Sequence, residues 1–196
     1  MVAHRWQGMR RRASPLVLAM VLFGRPGGAQ SVGVPIGLQV ELLSRVAAYD
    51  RSLPERANGR VRVVILTKAG SAESASAAAR LKSAFSSLPP IVGLPHEELV
   101  ADFTNAPAVA EMCRAQRVSV LYVTEGLGDE IEAIRRALEG VSVLTVSTVP
   151  EYVSRGIVLG FDVVSGKPKL LVHLTQSRKQ KVALSADVLK IMTVIQ

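Results

Sequence analysis

The chain has 196 residues, of which 48% are apolar, 20% charged and 4% aromatic, with a single cysteine and a formal charge of +8. That balance excludes a disordered or acidic solvating chain. One cysteine also excludes an intrachain disulfide scaffold and a multi-thiolate zinc cluster, while the length is sufficient to bury a core without staples.

The first 29 residues read as an export signal. Arg5, Arg10, Arg11 and Arg12 supply a positive start, Leu16–Phe23 a short apolar stretch, and Gly27, Gly28 and Ala29 small residues for cleavage after Ala29. The apolar stretch is less than half of the roughly 20 residues a membrane-spanning helix needs. An uncleaved anchor is the alternative. No cysteine follows for lipid attachment, and Ala13, Ser14 and Pro15 after the arginines do not suit a twin-arginine signal. The leader holds five arginines and no acid, so the remainder carries 19 basic against 16 acidic side chains, or +3. Only six Phe and Tyr are left there, without a basic stripe, which argues against nucleic-acid binding.

Apolar positions Ile36, Val40, Leu43, Val46 and Ala47 recur at helical spacing after Pro35, so a helix is expected to about Tyr49. Leu53 to Arg60 reads as a turn-rich connection and Val61 to Thr67 as a buried strand. Ser71 caps an alanine-rich helix to about Phe85, and Leu88-Pro89-Pro90 ends it. A short strand is expected near Leu99 to Phe103, then a helix from Ala106 to Gln116 with Val109, Met112 and Cys113 inward. Val118–Val123 is the next strand, Leu127–Leu138 an amphipathic helix stopped by Gly140, and Val141–Val146 another strand.

After Pro150 the rhythm changes. Ile157–Val164 and Lys169–Leu174 flank a turn at Ser165-Gly166-Lys167-Pro168 and form a hairpin. A polar helix over Thr175–Lys181 follows, and Ser185 caps a closing helix that buries Val188, Leu189, Met192 and Ile195. The fold class expected is α/β: one domain, residues 30–196, with a mixed sheet, helices on its faces, a C-terminal antiparallel hairpin and a closing helix.

No catalytic, cofactor or metal site emerges. Gly126 and Gly128 stand where a strand enters a helix, as in a dinucleotide site, but Ile131 replaces the third glycine and Asp129 and Glu130 would repel phosphate. Those acids suit the helix dipole instead. No G-x-S-x-G elbow is present, and past the leader only His96 and His173 could act as imidazole bases. His173 reads as a surface residue, and His96 with Glu97 and Glu98 as solvated loop charges rather than metal ligands. Cys113 reads as buried and inert. Lys167, Lys169, Arg178, Lys179 and Lys181 make the last quarter basic; solvated surface is the plain reading, and docking to an acidic partner or anionic lipid the alternative.

Several stretches, taken in order, resemble the YfiR-like family of exported bacterial proteins. They are Val34–Leu43, Arg62–Leu66, Val143-Leu-Thr-Val-Ser147, Gly156-Ile-Val-Leu-Gly-Phe161, Lys169-Leu-Leu-Val-His-Leu174 and Leu184-Ser-Ala-Asp-Val-Leu-Lys-Ile191. The resemblance implies a periplasmic α/β domain that is not an enzyme and needs no cofactor. Its implied partner is an inner-membrane sensor protein, a diguanylate cyclase or a histidine kinase, with cyclic-di-GMP output and biofilm formation downstream. A homodimer is also implied as an option. The type member's disulfides have no counterpart here, and His173 stands where the family usually has asparagine. The rival class is a small-ligand binding protein, with a pocket at the strand ends near Thr67–Ser71 and Val123–Gly128.

Overall fold

The computed structural model describes Met1 and residues 33–195; the expected leader and its cut after Ala29 lie, Met1 apart, outside the described residues. The chain begins with helix α1 (Ile36–Ala47), whose buried stripe is Gln39, Val40, Leu43, Val46 and Ala47. The expected connection after it holds a short helix, α2 (Leu53–Ala57). Pro54 sits in its first turn, where no amide donor is needed, and Asn58 ends it in the left-handed region at φ 47°.

Strand β1 (Val61–Thr67) is buried along nearly its whole length, as a central strand covered on both faces must be. Helix α3 (Ala72–Ser86) follows, and the Ser71 hydroxyl accepts from the Ser74 amide at 3.2 Å, as the capping residue was expected to do. Strand β2 (His96–Asp102) starts three residues earlier than expected and lies at the sheet edge. Its half-exposed residues give no apolar run, which is why its start was hidden. Helix α4 (Ala106–Ala115) is capped by Asn105, whose Oδ1 accepts from the Ala108 amide at 2.9 Å.

Strand β3 (Val120–Val123) leads through a 3-10 turn at Gly128–Glu130 into helix α5 (Ile131–Ala137). Strand β4 (Leu144–Ser147) and the short helix α6 (Glu151–Ser154) come next. The hairpin is present as β5 (Leu159–Val164) and β6 (Lys167–His173), but its turn is tighter than expected. Only Ser165 and Gly166 turn, both at positive φ (51° and 74°), so Lys167 and Pro168 already belong to β6. Two left-handed residues match the twist of the flanking strands.

Helix α7 (Leu174–Lys179) and the single turn α8 (Ala186–Leu189) precede a last strand, β7 (Thr193–Ile195). Here the expectation of one closing helix fails. The helix stops after a turn, and Ile195 joins the sheet beside His173. Ser185 occupies the cap position of α8, yet its hydroxyl makes no capping bond.

The sheet order is β2-β1-β3-β4-β5-β6-β7. The first five strands are parallel, β6 is antiparallel to β5, and β7 is parallel to β6. The mixed α/β sheet is as expected. One face packs α1 and α3 around Leu43, Leu81, Phe85 and Tyr122; the other packs α4 and α5 around Val109, Leu121, Ile131 and Ile134. With α3 on one face and α5 on the other, the order in which strands are added reverses between β1 and β3, β2 being laid outside β1 and β4 outside β3. Ligands of such sheets sit outside the carboxyl ends of the strands at that point.

Two glycines of the resemblance have steric reasons. A Cβ on Gly160 would lie 2.4 Å from Val153 Cγ2, so β5 can pass under α6 only without one. Gly156 has φ +107° and carries the Arg135 side chain against its open face.

Candidate functional site

At the carboxyl ends of β1 and β3, a relay of hydroxyls joins the two strands. The Lys68 amide donates to Ser74 Oγ at 2.8 Å, and Ser74 and Thr124 hydroxyls meet at 2.5 Å. Thr124 donates onward to the Leu66 carbonyl at 2.8 Å. Both side chains are wholly buried, so every polar atom in the relay needs the partner it has. Above them Lys68 crosses the gap: its Cβ lies 3.3 Å from where a Gly126 Cβ would stand, and its ammonium pairs with Glu130.

That pair changes the reading of Gly126 and Gly128. Gly126 turns at φ +87° with Lys68 lying close against it, and Glu130 reaches Lys68 rather than a phosphate. The glycines serve a tight turn and a close approach. Beside them the Tyr152 hydroxyl packs near Gly128, with Arg155 close by. Burial, with Glu125 and Glu130 near, holds the Tyr152 phenol above its ordinary value, while the Leu127 backbone and Arg155 oppose that shift. One carboxylate oxygen each of Glu125 and Glu130, and the Thr148 hydroxyl, are closed off from solvent without a partner among the described residues.

The expected pocket at these strand ends is displaced. Lys68 and Glu130 close the gap between β1 and β3, and the open groove, about 560 Å³, lies on the α3 side. Thr67, Lys68, Ser71, Ala75, Val100 and Asp102 are among the residues that line it, whereas Val123–Gly128 do not. Alanines on α3 leave that space because they are too short to reach β2.

The two histidines are separate. His96 is no solvated loop charge: it opens β2, pairs through Nδ1 with Glu98, points Nε2 at the Leu88 carbonyl at 3.1 Å and packs 6.2 Å from the Phe85 ring. Neither is His173 a free surface residue. Its Nδ1 accepts from the Gln176 amide at 3.2 Å and so caps α7. Burial, with Arg135 and Lys179 nearby, pushes the His173 pKa down. Sheet order puts five inter-strand steps of about 4.8 Å between β2 and β6, so the two imidazoles cannot share a reaction. Cys113 is buried as expected, and burial raises its thiol to about 12, which removes the thiolate at neutral pH.

The basic last quarter does not form one patch. Lys179 pairs with Glu139 at 2.9 Å, Lys167 and Lys169 lie on β6, and Lys181 turns toward a cleft of about 470 Å³ that Arg114 and Arg117 also line.

A buried ion pair at the opposite end of the sheet was not read from the sequence. Arg56 Nη2 lies 2.5 Å from Asp50 Oδ2, with side-chain exposures of 2% and 0%. Arg56 also donates to the Ser119 carbonyl at 3.0 Å and the Ser52 hydroxyl at 3.0 Å, while Asp50 accepts from the Ala183 amide at 3.1 Å. Burial alone would raise the Asp50 carboxyl, but Arg56 and Ser52 outweigh it and hold the group below its ordinary value. Alternating charge around a short turn is too common a pattern to reveal such a clasp.

A five-stranded parallel core in the order 2-1-3-4-5, extended by an antiparallel strand, defines a doubly wound α/β domain. The chain belongs to the YfiR/HmsC-like family, whose profile matches residues 38–192. None of the curated proteins is similar to it in sequence. Among solved structures it is similar to a conserved domain protein from Vibrio cholerae O1 biovar El Tor, with 16% identity over 83% of this chain and a TM-score of 0.57. It is also similar to an ABC domain in complex with L-Trp from Streptococcus pneumoniae, with 11% identity, the same coverage and a TM-score of 0.57. A substrate-binding protein with adhesive properties from Clostridium difficile, in its ligand-free open form, matches with 12% identity over 83% of this chain and a TM-score of 0.56. The chain spans 60% of each of these three structures. At such identities the likeness is one of fold. Among the described residues, no helix is long and apolar enough to cross a membrane.

Proposed function

We propose that the protein is a non-catalytic periplasmic regulator that binds the outer sensor domain of an inner-membrane signalling protein, a diguanylate cyclase or a sensor kinase, and so modulates cyclic-di-GMP or related output. The observation that carries this reading is the family match across residues 38–192. The leader supports the location: Arg-rich start, short apolar stretch and small residues before Gln30. Regulation would follow from unequal affinity. A partner bound about 1–3 kcal/mol more tightly in one conformer shifts that conformer's population substantially. Crosslinking in intact cells, followed by recovery of the tagged protein from solubilised membranes, is expected to capture a protein with an outer sensor region. Repeated recovery of none overturns the reading. Mass spectrometry of the mature chain is expected to find Gln30 at its start.

A second reading, a periplasmic small-ligand binding protein, draws on the carboxyl-end groove, which Thr67, Ser71 and Asp102 line with oxygens. The Asp102 carboxylate at its rim suits a ligand with N–H donors. A thermal-shift screen of amino compounds separates the two, since a ligand raises the melting temperature only of a protein that binds it.

A further inference from the structure

Three helix exits meet at the cleft of about 470 Å³ beside the Asp50–Arg56 clasp. The chain leaves α4 through Arg117, α5 through Gly140 and α7 through Lys181, and all three residues line that space. All three also have positive φ, at 51°, 81° and 53°. The turns after α4 and α7 match bond for bond. The Arg117 amide donates to the Arg114 carbonyl at 3.2 Å and the Val118 amide to the Cys113 carbonyl at 3.0 Å. Likewise the Lys181 amide donates to the Arg178 carbonyl at 3.1 Å and the Val182 amide to the Ser177 carbonyl at 2.8 Å. Glycine is the usual residue in such a turn, because a Cβ is crowded in the left-handed region. Gly140 conforms. Arg117 and Lys181 bear that crowding, and each brings a cation to the same cleft.

Neither cation is used elsewhere among the described residues. The negative helix ends are already answered, by Arg114 in the last turn of α4 and by Arg178 and Lys179 in that of α7. The other positive groups on the lining have their own acids: Arg56 has Asp50, and Arg114 has Glu111 at 3.7 Å. Glu55 lines the cleft as well, yet it forms no ion pair with Arg117 or Lys181. Ser142, on the same lining, has a hydroxyl and an amide that no described residue takes.

We propose that this cleft binds a small phosphorylated molecule with two negative groups, its phosphate held by Arg117 and Ser142 and its second anion by Lys181. A guanidinium fork engages two oxygens of an anion at once. A carboxylate would spend both of its oxygens there, whereas a phosphate keeps a third for the Ser142 donors. The space falls within the range of small-molecule sites, about 300–1,000 Å³, so a lone inorganic ion would leave most of it to water. Doubly wound sheets ordinarily bind at the carboxyl ends of their strands. This cleft lies at the other end, apart from the groove of the second reading and from the sensor-domain partner, so its failure leaves both standing.

Calorimetric titration of the purified protein with inorganic pyrophosphate at low salt is expected to show one saturable site. Both cations are exposed, so added salt is expected to weaken it. Arg117→Gly/Lys181→Gly is expected to bind about tenfold more weakly or worse, while melting no lower than wild type, because glycine suits both turns. Arg117→Gln/Lys181→Gln keeps a side chain in each turn and is expected to lose binding equally. Glu55→Gln, which removes a repelling charge, is expected to tighten binding about twofold. Absence of saturable binding overturns the proposal. So does binding that either double variant leaves intact, or succinate held as tightly as pyrophosphate.

Discussion

The two ends of the central strands β1 and β3 are finished in opposite ways. At the amino ends, Asp50 and Arg56 are both sealed from water, and each side-chain nitrogen and oxygen of the pair has a partner in the pair itself or in Ser52, Ser119 or Ala183. At the carboxyl ends, Lys68 and Glu130 form a pair with side-chain exposures of 40% and 20%, and acceptor oxygens stay unmatched around it. The first end is committed to holding the chain together. The second ends in a partly exposed ion pair, and doubly wound sheets place their recognition there.

Substitutions can break that contrast, beginning with the clasp. Arg56→Ala strands a buried carboxylate and is expected to cost about 3–5 kcal/mol, read from the urea midpoint, whereas Asp50→Leu combined with Arg56→Met should recover most of it. The clasp also has a pH signature. Asp50 is depressed in the folded state, so its contribution is complete above the ordinary carboxylate pKa and is lost as pH falls through the lower folded value. Stability below about pH 4 is therefore expected to drop faster for wild type than for the apolar double variant.

A packing test comes next. Gly160→Ala drives a methyl into Val153 and is expected to cost about 1–3 kcal/mol, with Gly160→Ala/Val153→Ala regaining much of the loss. Lys68→Ala, at the open end, is expected to cost no more than about 1 kcal/mol. A loss comparable to that of Arg56→Ala would erase the distinction between the two ends. The smallest effect belongs to His173. Its folded pKa is lowered, so its contribution is present above the unfolded value near 6.5 and falls away under acid. His173→Asn keeps a capping side chain and is expected to match wild type at pH 7.5 while melting less steeply between pH 7 and about 5.

Most of the core was legible because its signals are local. Val61–Thr67 is an apolar strand broken only by Arg62 before its closing Thr67, Ser71 caps its helix, and the apolar stripe of Ile131 and Ile134 follows helical spacing. What escaped depends on distance along the chain. Asp50 meets Ala183 only through tertiary structure, His173 turns inward because α7 starts immediately after it, and β7 exists because β6 offers it an edge. The start of β2 was hidden because an edge strand has no need of an apolar run. The candidate groove was placed near the correct strand ends, but a lysine crossing to a glutamate 62 positions later is invisible to spacing rules.

The bond from Ala183 to Asp50 also sets a timetable. Asp50 and Arg56 leave the ribosome early, yet the last donor to their cluster arrives more than a hundred residues later. Until then the buried carboxylate of Asp50 lacks the backbone donor that closes its cluster. Closure of a contact so distant along the chain is slow and comes late.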